Sequence, residues 1–403
     1  MDLLPRLAYF GDVPVRSISA GPAVLYRLFE GWPADRLLLV EEAAGAPDPS
    51  HQLPGVRTLR HRVIHPRLIR SRLAGFYGSW LLLTCGRHAH ALARILRESG
   101  IEAVVSLAHG YCWIPAERAA RMAGLPFHLI VHDHWRDSIA VPPWLSARAD
   151  RLFLAAYRQA ASRLVISPAM EEKYRRAYGR PGTVLYPSRG RDARVLADPP
   201  LKPMRPGNAV FAYAGGVGRW TRRALATFAD STAPLGVRLR VYQGISVESL
   251  RAEGYRGDSI DIAPFIPAAE LHRDLAARVD AMYLPMSFDP SDRSNVEVCF
   301  PSKLADYTVP GLPILVHAPP YGTASRWAAE NDPAAETVTV EDPGALAAAV
   351  KRLVEDPDRR SLLARRALEL GCQFFSPERA FDTFHRAVAS RPARGSGLIF
   401  RGE

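Results

Sequence analysis

Lysine is nearly missing from this 403-residue chain: of its 52 basic side chains only four are lysines. The excess of arginine is a bias of composition and is no evidence for nucleic-acid binding. Cysteine is scarce as well. Cys85, Cys112, Cys299 and Cys372 form no close pair, which excludes a zinc-binding spacing and a disulfide framework and leaves buried thiols. No apolar run reaches the length of a membrane-spanning helix; the patch from Trp80 to Cys85 is interrupted within a few residues. The opening Met1-Asp2-Leu3-Leu4-Pro5-Arg6 lacks the basic segment and apolar core of a secretion signal, so a cytoplasmic location is expected. Internal repeats and extended low-complexity tracts are absent too.

What is present is the composition of a globular protein, 48% hydrophobic and 23% charged. The length exceeds one ordinary core, so two domains are expected. The net charge of +11 is unevenly shared. Residues 1–205 carry 29 basic against 17 acidic side chains, and the remainder 23 against 24. A basic front and a neutral back point to domains with different partners, the front suited to an anionic surface or acceptor.

Short apolar strands alternate with helices in both halves. The first half reads as strands at 7–11, 36–41, 103–107, 127–131 and 163–167, with helices at 21–28, 88–99, 115–123, 147–161 and 168–178. Residues 187–207, rich in Pro, Gly and Arg, break the pattern and read as a linker. Strands follow at 209–213, 238–242, 260–262, 281–284, 314–316 and 337–340, and helices at 222–231, 268–277, 302–307, 343–355, 357–370 and 377–390. This predicts an α/β chain of two doubly wound parallel-sheet, Rossmann-like domains facing a central cleft. The expected divisions are 1–190, a linker at 191–207, a second domain at 208–376, a helix at 377–392 and a loose tail at 393–403.

Four segments carry candidate chemistry. Phe300-Pro301-Ser302-Lys303 reads as a loop entering a short helix, with Gly311-Leu312-Pro313-Ile314-Leu315 as glycine stop and buried strand. Unpaired amides at such a start attract anions, and a lysine adds a full charge; an ordinary capped helix reads the same way. Ala214-Gly215-Gly216-Val217-Gly218-Arg219-Trp220-Thr221-Arg222 follows a strand and is either a phosphate loop or a tight turn. Thr221 stands where the dinucleotide fingerprint needs its third glycine, which argues against nicotinamide and flavin enzymes. His132-Asp133-His134 lies just past a strand, where a histidine faces a substrate or caps a turn. Alternating residues of an extended segment point apart, so metal is not expected. His109-Gly110 should lie beside it. From Arg57 to Arg72 there are six arginines and no acid, with aliphatics between and Phe76-Tyr77 and Leu81-Leu82-Leu83 beyond. That stretch reads either as a solvated surface loop beside a core helix or as an element resting on an anionic membrane face. Asp356-Pro357-Asp358 reads as helix capping.

Taken together these pieces resemble the family 4 glycosyltransferases of the GT-B fold. The resemblance runs over residues 7–392 and is densest at Phe300 to Tyr307 with Gly311 to Ile314, at Ala161 to Met170, and at Ala212 to Gly216. It implies a nucleotide diphosphate sugar held by the second domain and a glycan or lipid-linked acceptor held by the basic first domain. The activity implied is retaining, metal-independent and without a cofactor, in envelope polysaccharide or glycolipid synthesis. Gly215, Gly216, Gly218, Arg219, Arg222, Ser302 and Lys303 would bind the diphosphate. Glu297, Val298, Cys299 and Phe300 would meet the sugar, and Phe265 and Ile266 the base. Gly21, His109 and Asp133 would face the acceptor, with His132 and Asp306 at the reaction centre. The family commonly has two glutamates seven residues apart; here Asp306 takes the second position and Val298 the first, with Glu297 one residue early. A non-catalytic nucleotide-binding subunit of the same fold is the alternative, as is an epimerase or hydrolase of that architecture.

Overall fold

The computed structural model describes residues 4–18, 20–42, 48–69, 71–200, 202, 204, 207–242, 245–264, 266 and 268–389. The first sheet is built from β1 (Leu7–Gly11), β2 (Leu37–Glu41), β3 (Arg57–Arg60), β4 (Ala103–Leu107), β5 (Phe127–Val131), β6 (Ser162–Val165) and β7 (Thr183–Val184). Its order is β3-β2-β1-β4-β5-β6-β7, and every pair is parallel. β1, β2, β4 and β5 are buried at every residue, because helices cover both faces. The second sheet joins β8 (Val210–Ala214), β9 (Arg238–Tyr242), β10 (Ile260–Ile262), β11 (Ala281–Pro285), β12 (Ile314–His317) and β13 (Glu336–Val338). It is also wholly parallel, ordered β10-β9-β8-β11-β12-β13.

Punctuation in the sequence sets the bounds of several helices. Ser167 caps the helix Pro168–Tyr178 by accepting from the Met170 amide, and Gly179 ends it at φ 69°. The helix Trp113–Ala123 stops at Gly124, φ 68°. Asp356 accepts from the Arg359 amide and caps the helix Pro357–Phe375, so the Asp-Pro-Asp string is structural.

Several elements differ from the sequence reading. The helix expected to end at residue 370 runs through Gly371 to Phe375. The reason is an approaching side chain: a Cβ on Gly371 would sit 1.6 Å from Nη2 of the buried Arg189. Arg189 donates to Thr308 Oγ1 and to the Leu368 carbonyl, which pins the start of the interdomain connection. The helix expected from 147 starts at Pro143, where a proline at the first turn loses no hydrogen bond. Residues 57–72 are neither one loop nor one helix, but edge strand β3, a turn and the one-turn helix Pro66–Ile69. The helix beside this stretch, which the sequence leaves without bounds, is Ala74–Thr84. Of the expected linker, residues 201, 203, 205 and 206 lie outside the described residues, as does the tail at 393–403. The helix Pro377–Ala389 returns to the first sheet's helical layer, where Phe384 packs edge-on to Phe29 and Trp32 at 5.6 Å each.

Candidate active site between the two sheets

The carboxyl ends of both sheets face each other across a cavity of about 520 Å³. From the first domain its wall takes Gly21, Leu107, His109, His132 and Asp133; from the second it takes Cys299, Phe300, Ser302 and Lys303. A larger basin, about 740 Å³, opens at the other end of the first sheet. Its walls come from one domain, and Arg158 and Arg163 there are spent on backbone carbonyls.

Lys303 opens the short helix Lys303–Tyr307, and its stem lies across the glycine loop. A Cβ on Gly215 would come 2.1 Å from Lys303 Cε, and Gly215 has φ +146°, so only glycine fits. The Tyr307 hydroxyl accepts from the Ala214 amide at 2.9 Å and donates to its carbonyl at 3.1 Å, locking helix to loop. The Lys303 ammonium lies 5.5 Å from the Tyr213 ring centre. It makes no ion pair among the described residues, and desolvation pulls its pKa down, partly offset by Cys299 and Asp306. A half-buried cation with no carboxylate in ion-pair contact among the described residues is costly to desolvate and suits an anion. Ser302 stands at the helix start without using its hydroxyl as a cap, and that group makes no hydrogen bond among the described residues. The helix has only five residues, so charge and hydroxyl outweigh any dipole.

On the facing wall, burial pushes the His132 pKa down to about 4; Asp133 raises it and His109 lowers it further. His132 is therefore a neutral imidazole near pH 7. Asp133 accepts from the Cys299 thiol at 3.1 Å, across the domain boundary. Four more contacts accompany that one. The Ser167 hydroxyl donates to the Val298 carbonyl (2.6 Å), and Lys173 pairs with Glu297 (3.0 Å). The His134 amide donates to Asn295 Oδ1 (2.9 Å), and Ser294 donates to Asp137 (3.0 Å). Residues 294–299 thus seal the two domains along one rim.

The other expected site residues, where described, lie apart from the cavity wall. Glu297 is turned to Lys173, and Val298 is fully buried. Asp306 meets Arg27 of the first domain at 2.9 Å. Arg222 is paired with Glu253 at 3.3 Å. Arg219 begins the helix Arg219–Thr232, with its side chain outside the described residues. Gly216 and Gly218 flank open space. Phe265 lies outside the described residues, and Ile266 packs half-buried on the core. Sequence reading passed over Trp220, Ser287, Asp292 and Asn295, all on the cavity wall. Trp220 was visible inside the glycine loop; Asp292 ends an Asp-Pro-Ser-Asp string that reads as a turn, and no motif marks it.

Among the described residues, one trio has the spacing to hold a metal: Asp12, Glu42 and Cys112. Its carboxylates already serve the backbone. Asp12 accepts from the Tyr111 and Cys112 amides, and Glu42 from those of Val63 and Ile64. Burial raises the Glu42 pKa to about 7.

No family model matches the chain, and no curated protein matches it by sequence. Solved structures do match by shape. Anabaena HepE in complex with UDP and glucose aligns with a TM-score of 0.66 at 15% identity, covering 96% of this chain and 100% of that one. Sucrose-phosphate synthase from Thermosynechococcus elongatus gives 0.65 at 16%, covering 94% and 97%. WaaG, a glycosyltransferase involved in lipopolysaccharide biosynthesis, gives 0.59 at 12%, covering 96% and 100%. Paired parallel sheets of seven and six strands around a cleft are the GT-B architecture, and that is the fold of this chain.

Proposed function

We propose that this chain is a glycosyltransferase that takes a sugar from a nucleotide diphosphate sugar and delivers it to a glycan or lipid-linked acceptor in envelope polysaccharide synthesis. The observation that carries this reading is the Lys303 ammonium, set in the interdomain cavity without an acidic partner among the described residues. The leaving diphosphate is the anion it awaits. Lys303, the Ser302 hydroxyl and the amides of 215–218 stabilise the charge that develops as the sugar bond breaks, which is the kind of term that dominates such rate enhancements. Fixed positive charge makes a divalent ion unnecessary, and the reaction retains configuration, as the resemblance to family 4 implies.

His132, neutral at working pH, orients a sugar hydroxyl by hydrogen bonding and does not serve as an acid. With Glu297 tied to Lys173, the sugar-facing carboxylate of this site is Asp292, and Trp220 offers a flat apolar face to a pyranose ring. Arg27 and Asp306 hold the domains together behind the reaction centre. Gly21 and His109 receive the acceptor. The basic first domain, through the arginines of 57–72, draws the protein to an anionic membrane face from the cytoplasmic side.

Incubation with a panel of nucleotide sugars tests the reading. Slow release of free nucleoside diphosphate without acceptor is expected. A non-catalytic nucleotide-binding subunit is the second reading, favoured by the loss of Arg222 to Glu253 and of Glu297 to Lys173. Thermal stabilisation by UDP with no turnover of any sugar nucleotide, with or without acceptor extracts, establishes that reading instead.

A further inference from the structure

The helix Ala74–Thr84 contains no charged residue. One side of it, Gly78, Ser79, Leu81 and Leu82, is buried in the core. The other side is apolar as well. Leu73, Phe76, Trp80 and Leu83 are 57%, 77%, 43% and 51% exposed, and their spacing of three, four and three places them in one stripe. Of twelve exposed large hydrophobics among the described residues, five fall between Leu68 and Leu83. A helix that is apolar on both sides has two apolar neighbours, and the described fold supplies one.

Charge names the other. From residue 49 to residue 97 the chain has nine arginines and no Asp or Glu. Arg57, Arg60, Arg62, Arg67 and Arg72 are exposed and form no ion pair among the described residues. Arg87 lies 5.1 Å over the Trp80 ring, with Tyr77 stacked on that ring at 5.7 Å. An apolar stripe bordered by unpaired arginines, with an amphipathic aromatic at its edge, matches the boundary of an anionic bilayer. A second copy of the chain fits worse, since a two-fold contact would set these arginines against their own kind.

We propose that the helix Ala74–Thr84 seats its Leu73, Phe76, Trp80 and Leu83 face in an anionic phospholipid bilayer and so presents the cavity to an acceptor anchored there. This deepens, and rests on, the glycosyltransferase reading. The helix is joined to the acceptor side of the cleft. A Cβ on Gly78 would meet the Tyr111 hydroxyl at 2.4 Å and the Ala140 carbonyl at 1.8 Å, so the helix lies directly against the loops after β4 and β5. Tyr111 follows His109 and Gly110, and His109 is on the cavity wall. The polar head of a lipid acceptor then reaches the cavity while its chain stays in the membrane.

Co-sedimentation decides the matter, using the full chain at low salt. Vesicles of equal parts phosphatidylglycerol and phosphatidylcholine are compared with pure phosphatidylcholine. Wild type is expected to pellet with the anionic vesicles, and the double variant Phe76→Ser/Trp80→Ser to bind them at least roughly tenfold more weakly, given the apolar area those rings bury. Wild type left in the supernatant, or a folded double variant that pellets equally, overturns the proposal. So does concentration-dependent dimerisation that the double variant abolishes, because the stripe then belongs to a second copy. Sugar-nucleotide hydrolysis in vesicle-free buffer, on the same preparations, keeps the two readings apart. It should be equal in wild type and double variant, and its absence from wild type counts against the glycosyltransferase reading without touching the vesicle result.

Discussion

A lysine kept only for structure is paired or extended into solvent; Lys303 is half-buried and makes no ion pair among the described residues. Its stem is trapped over Gly215 and its ammonium is held near the Tyr213 ring inside the cavity. Gly215→Ala therefore strikes the same site from below: the added methyl collides with Cε and strains a backbone at φ +146°. Calorimetry should show UDP affinity falling by about 1–3 kcal/mol, the range of a lost charge-assisted contact. Unchanged affinity would mean that the loop and the lysine are not one unit. His128 supplies a pH test. It is fully buried, bonded to Ser162 through Nδ1, and burial lowers its pKa to about 4. Between the ordinary histidine value and 4 the unfolded chain binds more protons than the folded one, so stability falls as pH falls through that window. Glu42, with its pKa raised to about 7, acts with the opposite sign. Comparing wild type with His128→Asn removes that contribution. Urea melts at pH 7 and pH 4 should show wild type losing roughly 2–3 kcal/mol more than the variant. At this scale the sequence was a partial guide. Ser302, Lys303, His132, His109 and Cys299 are brought to one cavity, but the partners Lys173 for Glu297 and Glu253 for Arg222 are remote in sequence, and no local pattern announces them.

Elements were legible where their termini carried chemistry. The helix Pro168–Tyr178 is bounded by Ser167 and Gly179, the strands Ala103–Leu107 and Phe127–Val131 are mainly apolar runs, and Arg238–Tyr242 alternates arginine with apolar residues. The helix Ala74–Thr84 has no bounds legible in the sequence because it has no polar face, no acid in its first turn and two internal glycines, so helical periodicity gives no signal. The helix Pro357–Phe375 was cut short because Gly371 looks like a stop until Arg189 is seen against it. Ser167 shows how one cap serves two levels, holding the Met170 amide while donating to Val298 across the domain boundary. Ser167→Ala should cost about 1–2 kcal/mol in chemical denaturation, as for a lost cap. It should also raise proteolysis along the 294–299 rim. A loss without increased cutting would confine the serine to capping.

For the whole molecule, the alternation of strand and helix was enough to predict two parallel sheets around a cleft, because parallel strands need helices on both faces. What it could not supply is the depth of the seam between them. Five contacts from residues 294–299, the Arg27–Asp306 pair and the aromatic packing of Phe384 on Phe29 and Trp32 bind the halves together. The cleft thus holds a cavity of about 520 Å³ with a lysine in its wall that makes no ion pair among the described residues. Titration of UDP into wild type and Lys303→Met, with melting of both apo proteins, tests that claim most directly. Affinity is expected to weaken by roughly 1.5–3 kcal/mol, with the apo variant at least as stable as wild type, because a desolvated charge has been removed. Equal UDP affinity in the two proteins, or a variant that melts lower while binding normally, would contradict it.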